Sequence, residues 1–112
     1  MRITIIAALG ATLLTACGQS APPAAQGPSD YQYINVGQEK VRERLRDPSS
    51  AVFTEVRVSR SAGIPAVCGY VNSRNGFGGM SGPKRFIAGA VVGLEDDFAP
   101  GEFERSWAQL CG

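Results

Sequence analysis

The sequence predicts a small single domain of the α+β class. We expect a three-stranded antiparallel sheet with two packed helices and one disulfide bond, in the order α-β-β-β-α. Three apolar stretches in the middle of the chain have the alternation or the Val and Ala enrichment of strands. The segments on either side carry apolar residues at helical spacing. A chain of 112 residues has room for one small domain.

The N-terminal segment precedes this domain and has the pattern of an export signal. Arg2 comes before an apolar run over residues 3–14, and small residues lead to the tetrapeptide Leu14-Thr15-Ala16-Cys17. The tetrapeptide resembles the lipobox of bacterial lipoproteins. The resemblance implies that residues 1–16 are a signal peptide and that Cys17 becomes a lipidated N-terminus. The alternative is cleavage by the ordinary signal peptidase, which would release a soluble protein.

Lipidation at Cys17 predicts a location in the cell envelope, facing the periplasm. An Asp after the modified cysteine would retain such a protein in the inner membrane, and Gly18 stands there instead. The outer membrane is therefore favoured over the inner membrane. Residues 17–29 are rich in Ala, Pro, Gln and Gly and are predicted to be a flexible tether. The globular domain is assigned to residues 30–112.

A first helix is predicted over residues 36–46. Asn35 is its expected N-cap, with Gln38 three residues later as in a capping box. Val41 and Leu45 lie on one face at i, i+4 spacing, while most other positions are charged. Proline 48 follows closely and cannot continue a helix.

Three strands are predicted over residues 52–59, 66–73 and 85–94. In the first strand Val, Thr, Val and Val at positions 52, 54, 56 and 58 alternate with Phe, Glu and Arg. The third strand is rich in Val, Ala and Gly, so it is either covered on both faces or bulged at Gly89 or Gly93. A closing helix over 102–110 aligns Phe103, Trp107 and Leu110.

The cysteine count predicts the disulfide bond. With Cys17 lipidated, Cys68 and Cys111 remain as an even pair in an oxidising compartment. A bond between them would pin the last helix to the middle strand and close a loop of about 43 residues, worth roughly 4 kcal/mol. The alternative is two buried free thiols. The chain has no histidine, so two thiolates would leave a zinc ion short of ligands. No metal and no cofactor is expected.

Charge and composition narrow the classes of function. Lys and Arg number 11 against 10 Asp and Glu, and loss of Arg2 with the signal peptide balances the two signs. This balance argues against a nucleic-acid partner and leaves attachment to the membrane to the lipid. The lack of histidine removes triad and histidine-base catalysis, and no catalytic residue is predicted. The acidic run at 95–97 is interpreted as a turn, with a weak calcium site as the alternative.

The segment over residues 72–85 is the candidate functional feature. It is rich in glycine and asparagine, and it is longer than a hairpin between its flanking strands needs. Long ordered loops are frequent functional sites. The predicted contacts to a partner are Arg74, Asn75, Phe77 and Met80.

Two neighbours of these contacts, Asn72 and Arg85, are expected to shape the loop. The alternative is that the two apolar side chains fold back as a lid on the core. Phosphate binding is disfavoured because Lys84 does not follow a glycine and precedes a strand.

Several segments together form one recurring pattern. They are Asp47-Pro48-Ser49-Ser50-Ala51-Val52-Phe53, Val67-Cys68-Gly69-Tyr70-Val71-Asn72, Asn75-Gly76-Phe77-Gly78-Gly79, Arg85-Phe86-Ile87 and the closing residues from Trp107 to Cys111. The pattern is similar to that of a family of small proteobacterial and phage proteins, several of them lipoproteins. The family has no established activity, so the resemblance implies no catalytic residue. Tyr70 and Pro83 depart from the family, which commonly has Glu and an aromatic residue there.

These observations favour a non-enzymatic, membrane-anchored lipoprotein that acts as a protein-binding or inhibitory module. An accessory or docking component of an envelope assembly is the alternative. A small hydrolase is a further alternative and would need carboxylates brought together in a cleft.

Overall fold

The sheet has four antiparallel strands. The computed structural model describes Gly10 and residues 27–112, and the strands within it are β1 (Val52–Ser59), β2 (Ala66–Asn72), β3 (Lys84–Ala88) and β4 (Val92–Leu94). They lie side by side in the order β1-β2-β3-β4. With helices α1 (Asp30–Arg42) and α2 (Glu102–Leu110), they confirm the α+β class and the small single domain. The predicted three-stranded sheet and α-β-β-β-α order are wrong.

The additional strand arises from a turn inside the predicted third strand. The chain bends at residues 89–91, where the Gly89 amide donates to the Val91 carbonyl at 2.9 Å. β4 then runs back along β3, with Phe86 opposite Leu94 and Ala88 opposite Val92. A bulge at Gly89 was one of the alternatives for this strand; the structure has a complete reversal of the chain there, and residues 92–94 belong to a separate strand.

The helices lie on opposite faces of the sheet. Neighbouring residues of a strand point to opposite faces, and the two faces of β2 and β3 contribute to two different clusters. On the α1 side the buried residues are Val41, Val67, Val71, Phe86, Ala88 and Leu94. On the α2 side they are Ala66, Cys68, Ile87, Phe103, Leu110 and Cys111. The sheet thus separates two small cores.

Helix α1 begins and ends earlier than predicted. Its N-cap is Ser29, whose hydroxyl accepts from the Gln32 amide at 3.3 Å, while the Gln32 side chain accepts from the Ser29 amide at 2.8 Å. This capping box replaces the one expected at Asn35, which lies inside the helix. A Cβ at Gly37 would stand 2.8 Å from Val67 Cβ. The absence of a side chain at Gly37 thus allows α1 to lie close to Val67 of β2.

Strand β1 contains a bulge that changes which side chains face the core. Glu55 has φ of 52°, and the pairing with β2 shifts between Thr54 and Arg57. As a result Phe53 and Val56 both pack against the α1-side cluster. The uninterrupted alternation predicted for this strand, which placed these two residues on different faces, is therefore wrong.

The disulfide between Cys68 and Cys111 is confirmed, with the two Cα atoms 6.0 Å apart. It joins β2, an inner strand, to the residue that caps α2. The closing helix has the predicted bounds, and its Phe103 and Trp107 rings stack with their centroids 5.7 Å apart. Both sulfur-bearing residues are buried, so the bond lies within the core on the α2 side.

The start of α1 lies at the opposite end of the sheet from the segment that joins β2 to β3. Arg60 Nη2 donates to Asp30 Oδ1 at 2.6 Å, and this hydrogen bond connects the first residue of α1 to the turn between β1 and β2. That turn comes before β2 begins, whereas residues 73–83 follow its end. β2 has seven residues, so the two ends are roughly 20 Å apart.

Among the described residues, no helix is long and apolar enough to cross a membrane. Apart from Gly10, the predicted signal peptide over 1–16, the predicted lipidation site Cys17 and the tether as far as residue 26 lie outside the described residues. The last tether residues, 27–29, have no regular secondary structure and lead directly into α1.

Candidate functional site

The candidate site is built around the segment that joins β2 to β3, called here the β2–β3 loop (residues 73–83). It folds as a small hairpin of its own. The Ser81 amide donates to the Ser73 carbonyl at 2.8 Å, and Arg74 and Met80 form an isolated antiparallel bridge. The loop is thus a continuation of the hairpin formed by its two flanking strands.

The tip of the loop is organised by Asn75. Its side-chain Oδ1 accepts from the amides of Phe77 and Gly79 at 2.9 and 3.2 Å. Its own amide donates to the Gly79 carbonyl at 2.7 Å. Gly78 between them has φ of 86°, a conformation that glycine adopts without strain. Asn75 is a predicted partner contact, and its carboxamide oxygen is therefore engaged in holding the turn.

Two contacts fix the base of the loop. Asn72 Oδ1 accepts from the Gly82 amide at 3.0 Å, which agrees with the expectation that Asn72 shapes the loop. Ser50 Oγ accepts from the Arg74 amide at 2.8 Å and donates to the Asp47 carbonyl at 2.7 Å. The role of Ser50 was not predicted, because its contact with Arg74 joins residues far apart in the sequence.

The apolar side chains of the loop point to solvent. Phe77 is 99% exposed and Met80 is 48% exposed. The alternative in which both residues fold back as a lid on the core is therefore wrong for Phe77. The backbone of the tip is held by hydrogen bonds while its aromatic side chain contributes nothing to the core.

A cleft of about 550 Å³ lies beside the loop; we call it the loop cleft. Its walls are residues 44–46, which follow α1, residues 73–77 of the β2–β3 loop, and Leu94, Asp96 and Asp97 at the end of β4 and in the turn after it. Ser81 and Lys84 complete the lining. Arg46 borders the loop closely, since a Cβ at Gly76 would lie 3.3 Å from Arg46 Cδ. Of the four predicted partner contacts, all but Met80 therefore share this cleft with two arginines that were predicted to lie in the first helix.

Cationic groups outnumber acidic groups around the loop cleft. The cations are Arg44, Arg46, Arg74 and Lys84, and the acids are Asp96 and Asp97. Lys84 is paired with Asp96, and Asp97 Oδ2 accepts from the Leu94 amide at 2.8 Å. The lining thus carries an excess of positive charge.

The side chain of Arg85 contacts α2 and the acidic turn instead of the β2–β3 loop, so its predicted role in shaping the loop is wrong. Its guanidinium forms a bidentate pair with Glu104 and a contact of 3.2 Å with Glu95. It also lies over the rings of Phe103 and Trp107, at 5.0 and 5.3 Å from their centroids. Its hydrogen bonds to Glu104, with a smaller contribution from Glu95, raise the pKa of Arg85.

The same hydrogen bond from Arg85 lowers the pKa of Glu104 below its ordinary value. Arg85 therefore connects β3 to α2 and has a structural role.

The acidic run at 95–97 forms a short 3-10 helix, Glu95–Asp97. Its carboxylates have separate partners, because Glu95 pairs with Arg85, Asp96 pairs with Lys84, and Asp97 accepts from a backbone amide. Within residues 27–112 there is no group of three or more His, Cys, Asp or Glu side chains placed to hold a metal ion. These residues act as an acidic turn.

No family model, no curated protein and no solved structure matches the chain. The resemblance to the family of small proteobacterial and phage proteins stays a prediction.

Proposed function

We propose that the protein is a non-enzymatic, lipid-anchored component of the cell envelope that binds another protein through the β2–β3 loop. The observation that carries the proposal is the full exposure of Phe77 on a turn whose backbone is already fixed. Transferring such a ring from water into a partner's pocket is worth about 1.5–3 kcal/mol. A fixed loop also loses little conformational freedom when it binds.

The lipid anchor is part of the proposal. It depends on the lipobox-like tetrapeptide that ends at Cys17 and on the Pro- and Ala-rich stretch between this residue and the N-cap of α1. A diacylglycerol at Cys17 would attach the chain stably to a bilayer, with the outer membrane favoured by Gly18. Membrane fractionation of the full chain and of Cys17→Ser, with mass spectrometry of the mature N-terminus, tests this part. Recovery of the wild-type chain in the soluble fraction would refute it.

An inhibitory module is the form of binding that this loop fits best. A narrow, pre-ordered hairpin that projects an aromatic side chain can enter the active site or channel of a partner. Hot spots of such interfaces are enriched in Trp, Tyr and Arg and lie in well-packed pockets. In the β2–β3 loop, Arg74 and Met80 pair with each other three residues before and three residues after Phe77. The hairpin therefore carries a cationic and an apolar residue on its two arms, near the aromatic tip.

Affinity capture from an envelope extract tests the binding function. The bait is the full-length chain in detergent, compared with its Phe77→Ala variant. Ile64→Ala is the matched control, because Ile64 is an exposed apolar residue, 51% exposed, in the turn between β1 and β2. We expect a partner that both the wild type and the control retain and that Phe77→Ala loses.

The other outcomes of the capture experiment separate the alternatives. A partner that all three proteins retain would favour an accessory component that docks through a larger surface than the loop. Absence of any specific partner for the wild-type chain would leave the loop without a binding role, and the proposal would fail.

A further inference from the structure

The charges of the loop cleft indicate the chemistry of the partner. Asp96 and Asp97 are the acidic side chains of its lining, and both have an intramolecular contact: Asp96 with Lys84, and Asp97 with the Leu94 amide. Lys84 therefore compensates the charge of Asp96, while Asp97 keeps its negative charge against the three arginines of the lining.

Arg44 and Arg46 have no ion pair within the part of the chain that the structure describes. Both are exposed, and Arg46 lies against the backbone of the β2–β3 loop at Gly76. They approach the cleft from the end of α1, whereas Arg74 approaches it from the loop itself. Guanidinium groups from two directions thus border one concave surface.

Arg74 is only weakly engaged within the chain. Its Nε lies 3.6 Å from Asp47 Oδ2, and the side chains are 57% and 39% exposed, respectively. Exposed pairs of this kind contribute little, so Arg74 can exchange this contact for one with a ligand. Arginine favours bidentate pairing with carboxylates.

We infer that the loop cleft receives the carboxylates of an acidic segment of the partner protein, while an apolar group beside that segment covers Phe77. The inference rests on the proposed binding function and specifies its partner as an acidic protein chain. Complementary charge of this kind increases the rate of encounter and selects among partners. It also makes binding sensitive to salt, because the arginines are exposed.

The test measures fluorescence anisotropy of labelled peptides with the full-length chain in detergent. Three peptides share a central phenylalanine and differ in their flanks, which are all glutamate, all lysine or all serine. A fourth peptide keeps the glutamates and lacks the phenylalanine. Each is measured at about 50 mM and about 300 mM NaCl. The proteins are the wild type, Phe77→Ala, Arg44→Gln/Arg46→Gln, and the control Arg105→Gln, which removes an exposed arginine of α2.

We expect the glutamate peptide with phenylalanine to bind at least about tenfold more tightly than the serine and lysine peptides at low salt. The double arginine variant should bind it roughly tenfold more weakly, and the higher salt should reduce the difference between peptides. Arg105→Gln should match the wild type. Thermal melts of each variant confirm that affinity is compared between folded proteins.

The contrary results distinguish failure of the acidic partner from failure of the proposed binding function. Equal binding of the glutamate and serine peptides, or full affinity in the double arginine variant, refutes the acidic partner. If Phe77→Ala then weakens binding of the serine peptide, the proposed binding function still stands. Binding of both glutamate peptides without dependence on Phe77 contradicts the proposed function and leaves a separate anion site. Failure of the glutamate peptide to bind refutes the inference, and the capture experiment then decides the function.

Discussion

Removal of the disulfide between Cys68 and Cys111 should destabilise the domain by about 4 kcal/mol. The bond joins residues 43 positions apart, and the entropy of closing a loop of that length in the unfolded chain gives this magnitude at room temperature. A domain of about 85 residues has an unfolding entropy of roughly 0.18 kcal/mol/K. The melting temperature should therefore fall by about 20 °C.

The measurement is thermal unfolding followed by circular dichroism. Cys68→Ala/Cys111→Ala is compared with the wild type, oxidised and after reduction in the unfolded state, because both cysteines are buried when folded. Reduced wild type retains both sulfur atoms, so it separates loss of the cross-link from loss of packing. Oxidised and reduced wild type melting within about 5 °C of each other would refute the loop-entropy argument.

Three further predictions address the helices and the loop. Because Arg85 lowers the pKa of Glu104, their pair stabilises the fold above the unfolded pKa of that carboxyl and loses this effect as the pH falls through the folded value. Glu104→Gln should thus lower the urea midpoint at neutral pH and leave it unchanged in strong acid; a constant difference would contradict this. Gly37→Ala should lower the free energy of unfolding in urea by about 1–3 kcal/mol, because the new Cβ would meet Val67 at 2.8 Å. A higher free energy of unfolding would show that the helix propensity of alanine outweighs this clash. Asn75→Ala should increase the hydrogen-exchange rates of the Phe77 and Gly79 amides, which donate to Asn75, by roughly tenfold. Global stability should fall by no more than about 1 kcal/mol. Unchanged exchange rates would argue against the role of Asn75 in the turn.

The sequence predicts well those elements whose pattern is local. Phe103, Trp107 and Leu110 recur at helical spacing after Gly101, and the closing helix has the predicted bounds. The first helix was placed too late because two capping boxes fit the sequence, one at Asn35 and one at Ser29. Packing of the helix against the sheet decides between them, and that contact is not a local property.

Two errors in the sheet have a related physical cause. The bulge at Glu55 changes the facing of β1 only because two of its residues oppose one residue of β2, which requires knowledge of the partner strand. The turn at Gly89 divides a Val- and Ala-rich run that is equally compatible with one long strand. In both cases the pairing between strands determines the structure, and the residue pattern alone allows alternatives.

The candidate site could be predicted only in part. Glycine and asparagine between two strands indicated a loop, and Asn72 was expected to shape it. Whether Phe77 turned inward or outward depended on the Asn75 contacts that orient the tip. The approach of Arg46 to Gly76 joins segments distant in sequence, so the loop cleft had no signal in the residue pattern.

The hydrogen bond between Asp30 and Arg60 sets the position of the tether relative to the β2–β3 loop. It holds the start of α1, where the tether joins the domain, at one end of the sheet, and the β2–β3 loop lies at the other end. For a chain held at its N-terminal end on a surface, the base of the β2–β3 loop would stand about 20 Å beyond the tether's last residue. Phe77, at the tip of that loop, would stand farther out and face away from the surface. The reach of the loop would then equal the tether length plus this fixed spacer, and shortening the tether would limit which partners it can meet without altering the loop.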